Sequence, residues 1–228
     1  MDGEQIPEEI ILTMEEVEIV SMLQCLKISK YIFKTNYSDL INHLKDYKSG
    51  KKLYGFEESL RFQRTLFNFL STCPSFRDHT YAFIERLKKS GHLSSEFTKE
   101  YESRKKVFVN DIHIQFIQNF RNYAHHSVIP RVSIISVIQN DKPEPLSVHF
   151  NDSDIKNDSF SEKVKEYIIS LNKKIDIEKE VSEYHKITLN FYKWFFSKFI
   201  ELHKDKIPAH VWAEQQIKKE CWKDAEIF

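Results

Sequence analysis

The sequence predicts a mainly α-helical bundle of long helices with a small β-hairpin insert near residues 131–150. Over most of the chain, apolar residues recur at the spacing of one helix face. The 228 residues include only four glycines and six prolines, which suits long helices joined by few tight turns. Hydrophobic residues make up 41% of the chain, enough to form a sizeable core. We therefore expect a single helical domain over residues 1–228.

The chain is predicted to begin with a loose polar leader, residues 1–8. Apolar positions from Ile19 to Phe33 then predict a first helix that begins near Met14. Residues 36–39 are polar, and a serine or aspartate there can cap a new helix. We expect a break at this point, followed by a short helix that ends near Gly50.

The clearest helical pattern lies between about residues 56 and 90. Phenylalanines repeat there every seven residues, at Phe62, Phe69, Phe76 and Phe83. This spacing predicts a buried stripe on one long helix. Pro74 lacks a backbone donor and is expected to kink the helix, and Gly91 is expected to end it. Another long helix is predicted from about Ser95 to His126.

The second half of the chain changes character after Pro130. β-branched residues and a turn-rich stretch predict the hairpin at 131–150. A polar linker is expected at 151–159, followed by a short helix near 161–171. Aromatic residues at helical spacing predict a strong helix from about Ile177 to Lys204, ending in Leu202 on its apolar face. Residues 205–228 form a C-terminal extension, in which 209–225 has the pattern of a docking helix.

Composition excludes several classes of protein. The 34 basic and 34 acidic residues balance, so any contact with nucleic acid must be local. No apolar run approaches the length of a bilayer span. Three distant cysteines, Cys25, Cys73 and Cys221, predict free thiols of the reducing cytoplasm. The scarcity of glycine excludes the phosphate-binding loops of nucleotide-binding enzymes. No metal or cofactor motif is present.

The strongest candidate for a functional site is the stretch from Phe120 to His126, Phe-Arg-Asn-Tyr-Ala-His-His. A guanidinium can hold a phosphate oxygen through two hydrogen bonds, and an imidazole can move a proton near neutral pH. Arg121 and the histidines therefore predict phosphoryl-transfer chemistry that needs no metal.

The spacing Arg121-x4-His126, with Asn122 directly after the arginine, resembles the motif of the HEPN superfamily (higher eukaryotes and prokaryotes nucleotide-binding), including uncharacterised bacterial HEPN-like proteins. Members are helical bundles, and many are metal-independent ribonucleases. The resemblance implies that Arg121 binds the scissile phosphate, that His126 transfers a proton and that Asn122 orients them. It also implies an RNA substrate cleaved by 2′-hydroxyl attack, a homodimer, and a cytoplasmic role in bacterial toxicity or defence.

Helical geometry offers a rival to His126. In an ideal helix, His126 is rotated by roughly 140° from Arg121, whereas His125 is rotated by about 40°. Either the helix unwinds near Ala124, or the pair meets across a dimer, or His125 is the partner of Arg121.

Polar side chains on the preceding helix could support the site, namely Asn68, Asp78 and His79, with Ser71 or Ser75 on the same face. A structural role is the competing interpretation: Arg121 could pair with Asp78, and the histidines could cap carbonyls at the helix end. The competing function is a non-catalytic helical module that binds a nucleotide or a protein partner.

Overall fold

The computed structural model describes residues 14–48, 56–91, 93–126, 132–133, 138–139, 142–143 and 147–203. Helices cover more than half of the chain, and the strands are all short. The prediction of a mainly α bundle with a small β-hairpin is confirmed. The predicted leader at 1–8 and the extension at 205–228 lie outside the described residues.

Helix α1 runs without interruption from Met14 to Lys48. The predicted break at 36–39 is wrong, because no residue there forces the backbone out of the helix. Asn36 donates to the carbonyl of Ile32 within the helix (2.9 Å). Leu40 and Leu44 are fully buried and continue the apolar face that carries Phe33.

Helix α2, Phe56–Lys89, has the predicted bounds and buries all four phenylalanines of the repeat. It stays helical through Pro74, and the chain leaves it at Gly91, whose φ of +73° favours glycine. A kink at Pro74 stays a prediction. Contacts of Ser29 with His79 and of His43 with Glu58 show that α1 and α2 run antiparallel.

The single helix predicted for 95–126 is wrong, because the chain forms two helices there. They are α3, Ser95–Asn110, and α4, Ile112–His126. Asp111 lies between them in an extended conformation (ψ 138°). Its carboxylate accepts from the backbone N–H groups of His113 (2.9 Å) and Ile114 (3.3 Å). Asp111 therefore caps the start of α4 and fixes where the site-bearing helix begins.

The described residues of the predicted hairpin region form four short strands: β1 (Val132–Ser133), β2 (Ile138–Gln139), β3 (Lys142–Pro143) and β4 (Ser147–His149). The inner strands β2 and β3 pair with each other, and β1 pairs antiparallel with β4. A further strand, β5 (Lys174–Asp176), adds to the other edge of β4, with Val148 opposite Ile175. The sequence does not predict β5, which follows two residues with positive φ, Asn172 and Lys173.

Two short helices separate β4 from β5. Helix α5, Asp152–Ile155, lies within 151–159, where a polar linker is predicted. Asn151 and Asp154 form a capping box around it, and Ile155 and Phe160 are buried. This segment is therefore anchored to the core. Helix α6, Glu162–Ser170, is confirmed close to its predicted position.

Helix α7, Ile177–His203, contacts α1, α3 and α4, contacts α2 through aromatic rings, and supplies the aromatic centre of the bundle. Tyr184, Phe195 and Phe199 are almost fully buried against α2. Leu202 is 42% exposed, so its predicted place on the apolar face is wrong. None of the helices among the described residues combines the length and apolar character that crossing a bilayer requires.

Candidate functional site

The end of α4 places Arg121 and His125 on one face, one helical turn apart. Residues four apart on a helix are surface neighbours, and α4 remains helical through His126. The unwinding near Ala124 that would bring His126 to Arg121 within one chain is therefore not seen. Within a single chain, His125 is the histidine that shares a face with Arg121.

Arg121 is partly buried, but no carboxylate pairs with it in the described part of the chain. Its Nη1 donates to the Asn122 side-chain oxygen (3.1 Å). Its Nε is buried and finds no hydrogen-bond acceptor among the described residues. The alternative in which Asp78 holds Arg121 is not observed, because Asp78 accepts from Arg77 at 2.8 Å. The guanidinium therefore still has N–H groups that can donate hydrogen bonds to an external anion.

His125 is held by two residues of α2. Its Nε2 lies 3.1 Å from the Ser71 hydroxyl, and its ring stacks on Phe67 with 4.3 Å between ring centroids. Burial lowers the pKa of His125, and the positive charges of Arg121 and His126 lower it further. The imidazole is therefore neutral near pH 7 and can accept a proton.

His126 is exposed beside this pair. The rings of His125 and His126 lie 6.5 Å apart, measured between centroids. One guanidinium and two imidazoles thus occupy a short stretch of surface. Such a set contains an anion binder and two groups that can each carry a proton, which acid–base chemistry at a phosphate requires.

Ser71, rather than the other predicted polar residues of α2, reaches α4. Asn68 is exposed, Asp78 pairs with Arg77, and His79 bonds to Ser29 of α1 (2.5 Å). None of the three forms a hydrogen bond or ion pair with α4 in the described part of the chain.

Phe67 is not among the predicted site residues, because it lies outside the seven-residue phenylalanine repeat. Its signal is the four-residue spacing to Ser71.

Tyr123 anchors this end of α4 to α5. Its hydroxyl donates to Asp154 Oδ1 (2.7 Å), while the other oxygen of Asp154 accepts from the backbone N–H of Asn151 (2.7 Å). Burial and the Asp154 carboxylate raise the pKa of Tyr123. The tyrosine therefore stays neutral and acts as a fixed donor that steadies the helix between Arg121 and His125.

Cys73 lies one turn from Phe69 on α2 and within electrostatic range of Arg121. It is buried, and burial raises the pKa of its thiol far above the ordinary value, although Arg121 acts in the opposite direction. A thiol held neutral is a poor nucleophile, so Cys73 is a core residue. Within the described ranges, no three His, Cys, Asp or Glu side chains gather as a metal site.

A second polar cluster lies at the opposite end of α4 and was not predicted. The Glu180 carboxylate of α7 is almost fully buried and accepts from the Tyr167 hydroxyl (2.7 Å). Its other oxygen lies 2.8 Å from Nδ1 of His113. Both carboxylate oxygens have partners, which is what a buried acid requires.

Comparison with known proteins gives no match to a family model, a curated protein or a solved structure. The resemblance to the HEPN superfamily therefore rests on the Arg121-x4-His126 motif and its helical setting.

Proposed function

We propose that the chain is a HEPN-like, metal-independent endoribonuclease whose site is formed by Arg121, His125 and His126. One observation carries the proposal. Arg121 lies partly buried beside a histidine, yet it has no carboxylate partner among the described residues. A partly buried arginine without a counter-ion costs stability, and a bound phosphate supplies the missing charge and acceptors.

The proposed reaction needs one base and one acid. Neutral His125 takes the proton of the RNA 2′-hydroxyl, and the 2′-oxygen attacks the adjacent phosphorus. The bond from phosphorus to the 5′-oxygen breaks, and protonated His126 gives its proton to that leaving oxygen. The products are a 2′,3′-cyclic phosphate and a 5′-hydroxyl, and the two imidazoles exchange protonation states. Arg121 stabilises the charge on the phosphate oxygens.

Asn122 has a positioning role in this scheme. Its side-chain oxygen accepts from Nη1 of Arg121, which fixes one edge of the guanidinium. The remaining N–H groups of the planar fork are directed by that bond and serve the phosphate.

We also propose that the protein forms a homodimer and acts in bacterial toxicity or defence. A homodimer would bring the exposed His126 of one copy towards Arg121 of the other, as the superfamily resemblance implies. Bacterial toxicity or defence in the cytoplasm is part of the same proposal. The competing function is a module that binds a nucleotide or a protein partner at Arg121 without chemistry.

The test is cleavage of total RNA in the presence of a metal chelator. Wild-type protein is expected to cleave, and Arg121→Ala to lose at least about 100-fold in rate, typical of a lost transition-state donor. Arg121→Lys should recover little, because lysine lacks the planar fork. Arg86→Ala, an exposed arginine on α2, is the matched control and should cleave like wild type.

Circular dichroism must show that each variant is folded. Equal cleavage by wild type and Arg121→Ala would contradict the proposal. RNA binding without cleavage, lost in Arg121→Ala, would support the binding module.

A further inference from the structure

We infer that Ser71 fixes His125 in one tautomer, with the proton on Nε2, and so leaves Nδ1 as the proton acceptor of the site. The role in catalysis rests on the proposed function, whereas the tautomer does not. Ser71 is in this sense a positioning residue, because it acts through His125.

The hydrogen-bond pattern around Ser71 carries the inference. A serine hydroxyl has one proton to donate. Ser71 Oγ lies 2.8 Å from the backbone carbonyl of Phe67, a group that can only accept, and 3.1 Å from His125 Nε2. Since the proton is given to the carbonyl, the oxygen must accept from the imidazole. His125 Nε2 therefore carries hydrogen.

The neutral state of His125 completes the assignment. A neutral imidazole carries one N–H, so Nδ1 has a free lone pair when Nε2 is protonated. Nδ1 forms no hydrogen bond within the described part of the chain. The ring is only partly buried and Nδ1 itself is not fully buried, which leaves that lone pair open to a substrate hydroxyl.

Phe67 and Ser71 fix two different aspects of the orientation of the His125 ring. Stacking at 4.3 Å, with 27° between the ring planes, fixes the plane of the imidazole. Stacking alone permits a half-turn of the ring about the Cβ–Cγ bond, which would put Cε1 in the place of Nε2 and Cδ2 in the place of Nδ1. The bond to Ser71 distinguishes the two orientations, because only one of them places Nε2 on the hydroxyl. The carbonyl that orders Ser71 belongs to Phe67, so one turn of α2 sets both features.

The tautomer can be measured by nitrogen NMR on protein labelled with ¹⁵N-histidine, with the His125 signals identified by their loss in His125→Gln. Wild type and Ser75→Ala are expected to show the Nε2–H form of His125. Ser71→Ala is expected to show a mixture of both tautomers. Ser75 is the matched control, because it lies one turn along α2, is exposed and bonds, among the described residues, only to the Ser71 carbonyl (3.5 Å). An Nδ1–H form in wild type, or the same tautomer ratio in wild type and Ser71→Ala, would overturn the inference.

Cleavage kinetics give the second readout. Ser71→Ala should lower kcat about tenfold with KM changed less than about twofold, because the base is misplaced while the phosphate contact stays. Ser71→Thr keeps the hydroxyl and should recover most of the rate. If wild-type protein shows the Nε2–H tautomer but cleaves no RNA, the proposed function fails and the tautomer assignment stands. If it cleaves RNA and Ser71→Ala has wild-type kcat, the positioning role fails.

Discussion

The two ends of α4 each carry a histidine beside a charged group, and the two settings are opposite. At the start, His113 contacts a carboxylate, Glu180, that is 1% exposed and has both oxygens bonded. At the end, His125 lies near a guanidinium, Arg121, whose buried Nε has no acceptor among the described residues. The Glu180 carboxylate has all its hydrogen bonds within the chain, whereas the Arg121 guanidinium still has a donor without an acceptor among the described residues.

This contrast separates stability from function. A buried charge that is fully hydrogen-bonded makes the fold specific and leaves no unbonded donor or acceptor for a ligand. A charge without a counter-ion costs stability unless something outside the chain satisfies it. Burial lowers the pKa of His125, and the positive charges beside it lower that pKa further, which keeps the imidazole neutral. We therefore expect mutations at the first cluster to change the free energy of unfolding, and mutations at the second to change activity.

The largest effect on stability should come from Glu180→Ala. The change leaves the Tyr167 hydroxyl and His113 Nδ1 without their acceptor, and we expect a loss of about 3 kcal/mol in the free energy of unfolding, measured in urea. Glu183→Ala is the matched control on the same helix. The Glu183 side chain is 37% exposed and pairs with Lys186, so its loss should cost less than about 1 kcal/mol. A cost below about 1 kcal/mol for Glu180→Ala would show that the buried carboxylate does not stabilise the fold.

Arg121→Met should change the free energy of unfolding by no more than about 1 kcal/mol. Methionine keeps the apolar stem of the side chain, and the change removes a buried donor that has no acceptor in the described structure. The same urea experiment measures it. A loss above about 2 kcal/mol would mean that Arg121 holds the fold together, as Glu180 does.

The smallest effect concerns the titration of His125. The pKa of His125 in wild type should lie below the ordinary value for histidine, and Arg121→Gln should raise it towards that value. Burial is the largest cause of the shift and remains in the variant, so the pKa should still not reach the ordinary value. An NMR titration of the His125 ring protons checks both statements. No change between wild type and Arg121→Gln would show that the two side chains do not interact.

The fold was predictable wherever one strong periodic signal dominated. The phenylalanine repeat of α2 and the aromatic face of α7 both gave bounds close to the observed ones. The errors fell at helix boundaries. Ser38 and Asp39 resemble a cap but lie inside α1, because Leu40 and Leu44 keep the same face buried. Asp111 is a true cap, yet its sequence neighbours continue the helical pattern on both sides.

Only the part of the candidate site that lies on α4 was predictable from the sequence. Arg121 and His125 are four residues apart, so their shared face followed from helical geometry. Ser71 was one of several polar candidates on α2, and the choice among them depends on how α2 packs on α4, which local sequence does not encode. Glu180 and His113 are 67 residues apart, and nothing in either segment indicates their contact.

One cleavage assay compares the two ends of α4 directly, using His113→Gln and His125→Gln on the same RNA with a chelator present. Loss of a general base typically costs 10²- to 10⁴-fold in rate. We predict a loss of at least about 100-fold for His125→Gln and a change of less than about threefold for His113→Gln, at a temperature where both are folded. Equal rates for the two variants, or a greater loss in His113→Gln, would contradict the claim that the site of chemistry is the Arg121 end of the helix.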